Sequence, residues 1–113
     1  MTWVDVGQIS EIPENRCFAI SVGGRDLILI RREQSVRCFV DRCSHQEIKL
    51  SQYGLIQGDQ ILCQAHGACF DWNQGQPSRF PASVALTAVP CRIDENSKQV
   101  QVAIEVDVEA PAP

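Results

Sequence analysis

Cys43 and His45 are separated by one residue, Cys63 and His66 by two, and seventeen residues (46–62) lie between the pairs. A hairpin that folds the intervening residues back on themselves brings two thiols and two imidazoles to a single point. Thiolates and imidazoles are soft and borderline ligands, suited to iron–sulfur chemistry or to zinc and poor for magnesium or calcium. The chain contains only two histidines, and both fall in this pattern. A fold that fails to unite Cys43, His45, Cys63 and His66 leaves that economy without a purpose.

The rest of the chain reads as short strands punctuated by turns. Trp3 to Val6 alternates weakly and suits an edge strand, while Gly7 to Asn15 reads as a loop. Arg16 to Val22 and Asp26 to Ile30 are β-prone runs on either side of Gly23-Gly24, a pair that supplies the positive φ a tight hairpin needs. Val36 to Val40 follows as a strand after a turn at Glu33-Gln34-Ser35. Gly54 to Ile56 and Gln60 to Cys63 flank a Gly58-Asp59 turn, and the second strand of that hairpin leads into Cys63. Asp71 to Ser83 is rich in Gly, Pro, Gln and Ser and reads as loop. Val84 to Ile93 and Gln99 to Val106 are two further β-prone runs, joined by a turn at residues 94–98. No amphipathic helix of normal length is present, although Gln46 to Ser51 suits a single turn. The pattern predicts an all-β sandwich or barrel.

At 113 residues the chain suffices for one modest core. With 44% hydrophobic and 21% charged residues, its composition is that of a globular domain. A net charge of −4 and the lack of a Lys/Arg cluster argue against a nucleic-acid partner and favour docking to basic patches on proteins. The first residues have neither the basic start nor the apolar stretch of a targeting segment. The longest strongly apolar run, Leu27-Ile28-Leu29-Ile30, is too short to cross a bilayer. The expectation is a soluble, cytoplasmic monomer with no membrane contact. In that reducing compartment the six cysteines serve as ligands and reduced thiols rather than in disulfides.

Zinc fingers favour two cysteines in one loop and two histidines in the other, whereas here each loop supplies one of each. That mixed arrangement suits a binuclear [2Fe–2S] centre with both cysteines on one iron and both histidines on the other. An all-cysteine plant-type cluster fails, because the cysteine that should follow Cys38 and Cys43 falls on Gln46. A zinc-stabilised binding module remains the colourless alternative.

The segments C-S-H at 43–45 and C-Q-A-H-G at 63–67 resemble the two boxes of the Rieske iron–sulfur proteins. The resemblance implies an antiparallel β-sandwich over residues 1–106, with a small inserted cluster-binding subdomain at about 41–83 and a flexible acidic, Pro/Ala-rich tail at 107–113. It also implies one [2Fe–2S] cluster held by Cys43, His45, Cys63 and His66, with Phe80-Pro81-Ala82 as a covering third loop. High-potential members carry an extra cysteine in each box, paired in a disulfide. Here those positions are Ile48 and Ala65. Such members also place a Ser and a Tyr hydroxyl near sulfur, where this chain has Ala68 and Phe70. Without those donors, charge on the sulfurs is less stabilised, and the potential should lie near the low end of the Rieske range, about −150 mV.

The chain is similar to the soluble ferredoxins of bacterial aromatic-ring dioxygenase and toluene monooxygenase systems, and the first box looks particularly like the latter. That likeness implies a one-electron carrier between an NAD(P)H-dependent flavin reductase and a terminal oxygenase, both met by transient docking. A tightly held small subunit of an assimilatory nitrite reductase is the other Rieske-like reading. A mononuclear iron site with two histidines and a carboxylate requires two further histidines. The chain has none to spare, so it is expected to carry electrons and not to catalyse. Cys69, close to the second box, reads as a packing residue, as do Cys17, Cys38 and Cys91 within apolar strands. Trp72 and Tyr53 read as cover for the subdomain core.

Overall fold

The computed structural model describes residues 2–43, 48–80, 82 and 84–104. The expected tail at 107–113 and the end of the expected domain at 106 lie outside these residues, as do His45 and Pro81. The chain forms β1 (Thr2–Gln8), a 3-10 turn (Ile9–Glu11), β2 (Phe18–Val22), β3 (Arg25–Arg32), β4 (Ser35–Val40) and the single helical turn α1 (Leu50–Tyr53). β5 (Gly54–Gln57), β6 (Gln60–Cys63), β7 (Ala68–Asp71), β8 (Pro77–Arg79), β9 (Ala88–Val89), β10 (Cys91–Ile93) and β11 (Gln99–Ile104) follow. They assemble into three antiparallel sheets in the orders β1-β11-β10, β2-β3-β4-β9 and β5-β6-β7-β8. The all-β architecture is as expected.

The apolar run in β3 organises the molecule. Successive strand residues point to opposite faces, so Leu27 and Leu29 enter one core while Ile28 and Ile30 enter another. All four are fully buried, which is why this strand reads as a continuous apolar run rather than an alternating one. The first core joins Leu27 and Leu29 to Ile9, Ile12, Val100 and Val102. The second joins Ile28 and Ile30 to Phe39, Leu50, Ile61 and Phe70. The β2–β3–β4–β9 sheet thus shares one core with β11 of the first sheet and the other with β6 and β7 of the third.

Turn chemistry fixes the registers. Gly23 and Gly24 have φ of 59° and 79°, and Val22 pairs with Arg25 across them, which is the two-residue hairpin turn with positive φ at both central positions. Gln57 pairs with Gln60 across Gly58-Asp59, and Arg32 with Ser35 across Glu33-Gln34. Ser35 therefore belongs to β4 and not to the turn.

Three further expectations are corrected. β1 runs on to Gln8 through an irregularity between Asp5 and Gly7, and the following segment is a 3-10 turn that buries Ile9. A short strand, β8, arises within the expected loop at 71–83 and pairs with β7. The run 84–93 is two strands in two sheets: β9 pairs with β4 and β10 with β11. Pro90, which has no N–H to give a ladder, stands at the crossing, where its carbonyl accepts the Ala103 amide at 2.9 Å.

Among the described residues no helix is long and apolar enough to cross a membrane.

Candidate metal centre

The two sequence boxes lie where β4 leaves its sheet and where β6 turns into β7. After β4, Asp41 and Arg42 lead to Cys43, whose amide donates to the Ile48 carbonyl at 2.8 Å. Cys63 is the last residue of β6, opposite Gly54 on one side and Ala68 on the other. The chain reverses over residues 64–67, and the Gly67 amide returns to the Cys63 carbonyl at 2.8 Å. Gly67 has φ of 81°, a conformation that side chains with a Cβ rarely adopt. The glycine after the second histidine is therefore a requirement of this turn. His66 stands exposed on the turn, one residue before it.

Cys43 and Cys63 are both fully buried and belong to the same apolar cluster, with Leu50, Ala68 and Phe70. Ile48 and Ala65 pack against that cluster from its margin. The structure thus unites the two cysteines and sets His66 on the turn that begins at one of them. His45 lies outside the described residues. Among the described residues no group of three or more Cys, His, Asp and Glu side chains is arranged to hold a metal ion. The donor chemistry nevertheless fits a [2Fe–2S] cluster: two thiols sequestered in one apolar cluster and an exposed imidazole three residues after one of them are soft and borderline ligands.

The remaining thiols are of a different kind. Burial pushes Cys17 and Cys38 up to about 12 and Cys91 up to about 11, with Asp41 adding to the effect at Cys17 and Cys91 to that at Cys38. Such thiols are poor nucleophiles at neutral pH. Cys69 is buried in β7, its sulfur 3.8 Å from the Gly67 carbonyl. None of the six cysteines is in a disulfide.

Trp72 packs against the cluster that holds Cys43 and Cys63, as expected of a covering residue. Two guanidiniums lie over its ring, Arg37 at 4.6 Å and Arg32 at 5.2 Å from the centroid. Tyr53, by contrast, is 45% exposed. Within the expected third loop, Ala82 lies in the same cluster while Phe80 is 86% exposed, and Val84 beyond the loop is 61% exposed.

Sequence reasoning missed Asp41. It is 5% exposed and is the one buried polar or charged side chain among the described residues. One carboxylate oxygen accepts the Ser51 amide at 2.8 Å and the other the Ser51 hydroxyl at 2.6 Å. Nothing in the spacing of Asp41 and Ser51 marks them as partners. Lys49 reaches the Asp26 carboxylate at 2.7 Å, and this hydrogen bond, with the charges of Asp26 and Asp41, holds its ammonium above the ordinary lysine value.

Comparison with known proteins gives consistent results. The family model for the Rieske [2Fe-2S] domain matches residues 2–91. The ferredoxin component of the naphthalene 1,2-dioxygenase system of Pseudomonas aeruginosa is 27% identical over 92 residues, which cover 81% of this chain and 88% of that protein. The ferredoxin of carbazole 1,9a-dioxygenase from Nocardioides aromaticivorans IC177 superposes with a TM-score of 0.83 at 25% identity, over 93% of this chain and all of that one. A chain in the complex of reduced oxygenase and oxidized ferredoxin of carbazole 1,9a-dioxygenase superposes at 0.78 with 28% identity, over 89% of this chain and 92% of that one.

Proposed function

The chain belongs to the Rieske [2Fe-2S] domain family, and from that premise we propose that it is the ferredoxin component of a multicomponent oxygenase system. In this reading it takes single electrons from an NAD(P)H-dependent flavin reductase and delivers them to a terminal aromatic-ring oxygenase. The observation that carries the reading is the extent of the likeness. It runs nearly end to end along small ferredoxin components, one of them solved with its oxygenase. The chain's own chemistry agrees, since its two histidines leave none for a mononuclear iron site.

Cys43, His45, Cys63 and His66 are the ligands in this proposal, and residues 41–83 are the cluster-binding subdomain. The bound cluster supplies a centre that accepts and releases one electron. The chain's residues set the conditions for that exchange. Ile48 and Ala65, packed at the margin of the buried cysteines, offer apolar surface that keeps water from the sulfur side. His66, exposed on its turn, offers the edge of its ring to a docked partner. Ala68 and Phe70, both fully buried, bring no hydroxyl to the sulfurs, which keeps the potential low. A net charge of −4 suits short-lived docking on basic partner surfaces, with on-rates that fall as salt rises.

The test is reconstitution. The purified holoprotein is mixed with NADH and the reductase and oxygenase components of a naphthalene dioxygenase system. Bleaching of its visible absorbance by the reductase, and oxygenase turnover that requires it, are the expected results. A protein with an intact cluster that neither accepts electrons from the flavoprotein nor supports turnover overturns the proposal.

A further inference from the structure

We infer that Asp41 is a positioning residue that locks the first ligand loop against the body of the molecule, so that cluster retention depends on its hydrogen bonds to Ser51. The inference rests on the proposed function only for the presence of the cluster. The lock itself is a feature of the polypeptide.

Residues 41–43 leave the end of β4, with Cys43 last among them, and residues 48–51 lead into α1. Besides the Cys43 amide's bond to the Ile48 carbonyl, three contacts hold these ends. The Asp41 amide donates to the Asp26 carbonyl at 3.0 Å. The Asp41 carboxylate accepts both the amide and the hydroxyl of Ser51. Lys49 returns to the Asp26 side chain at 2.7 Å. Asp26 thus holds the outgoing strand through its backbone and the incoming one through its carboxylate.

The contacts are not equal. Lys49 and Asp26 have side chains 49% and 57% exposed, so their ion pair contributes little. Asp41 is buried, and both its oxygens are occupied. A buried carboxylate that loses its donors keeps the full cost of its desolvation. Opening the loop at Ser51 is therefore opposed by Asp41 far more than by Lys49. The Ser51 amide is also one of the N–H groups of the first turn of α1 that have no partner within the helix. The carboxylate that shuts the loop therefore also caps the turn leading to Gly54 and β5. Leu50, fully buried in the cluster of Cys43 and Cys63, is held in place by the same turn.

The experiment uses the holoprotein and two variants. Asp41→Asn removes the charge and one acceptor. Ser51→Ala removes only the hydroxyl bond and keeps the amide bond. Cluster loss is followed by visible absorbance in excess chelator, and amide exchange is followed by mass spectrometry on peptides spanning 41–53 and 99–104. The expectation is that Asp41→Asn bleaches about tenfold faster, the loss equivalent to one buried hydrogen bond, and Ser51→Ala less so. Exchange should rise in 41–53 and stay unchanged in 99–104. An equal rise in both peptides makes Asp41 an ordinary stabilising residue and overturns the inference, as does unchanged exchange in 41–53. Should Asp41→Asn fail to fold, Ser51→Ala carries the comparison alone. Amide exchange needs no metal, so a protein that binds no cluster at all refutes the proposed function while leaving the lock testable on the same peptides.

Discussion

Truncating Ile28 to alanine perturbs the core that holds Cys43 and Cys63, whereas truncating Leu29 perturbs the opposite one. Both side chains are fully buried. Each truncation removes apolar groups worth about 0.8 kcal/mol apiece, roughly 2.4 kcal/mol in transfer, and the cavity left behind raises the total to about 2–5 kcal/mol. For a domain of this size a loss of about 3 kcal/mol lowers Tm by roughly 12–24 °C. The two variants should therefore melt alike by far-UV circular dichroism. They should differ in how fast the holoprotein bleaches in chelator, measured at the same interval below each Tm. Ile28→Ala should bleach faster than wild type and Leu29→Ala at nearly the wild-type rate. Equal bleaching of the two variants refutes the assignment of the two faces of β3 to separate cores.

Phe70→Tyr places a hydroxyl in the cluster that contains both cysteines. A donor to sulfur there should raise the reduction potential by on the order of 60 mV, the one-electron equivalent of a tenfold change in equilibrium constant; no upward shift in voltammetry removes Phe70 from the account of the low potential. His66→Cys should lower the potential or abolish the cluster, and an unchanged spectrum and potential take His66 off the ligand list. The buried thiols of Cys17, Cys38 and Cys91, raised from 9.0 to about 12, 12 and 11, hold their protons more tightly folded than unfolded. Their contribution to stability is fully present below about pH 9 and is lost as pH rises toward 11–12. The urea midpoint of Cys38→Val should fall less steeply than that of wild type over this range, and parallel curves contradict the prediction.

Local signals in the sequence were reliable where a single residue type determines the backbone. Gly23-Gly24 and Gly58-Asp59 mark their hairpins because few other pairs supply the φ angles required. The four-residue apolar run of β3 is visible as a strand, but its service to two cores is not, because that depends on two other sheets covering its faces. The run at 84–93 has uniform β propensity, and only tertiary pairing reveals that it changes sheets at Pro90. β8 was hidden for the converse reason: Pro77-Ser78-Arg79 has little strand character, and β7 imposes the pairing. At the candidate centre, spacing singled out Cys43, His45, Cys63 and His66 because a ligand set would leave a pattern in local sequence; of the four, the described residues include Cys43, Cys63 and His66. Asp41 left none. Its partner Ser51 is defined by where the loop ends, and a buried carboxylate with two hydrogen bonds looks in sequence like any polar residue at a strand end.

Voltammetry of the purified holoprotein tests the central claim most directly, because it asks at once whether a cluster is present, how many electrons it carries and how its sulfurs are stabilised. A reversible one-electron wave at about −150 mV is expected, the low end for a cluster with two histidine ligands. A clearly positive potential contradicts the role assigned to Ala68 and Phe70, and a folded, colourless protein without a wave contradicts the cluster itself.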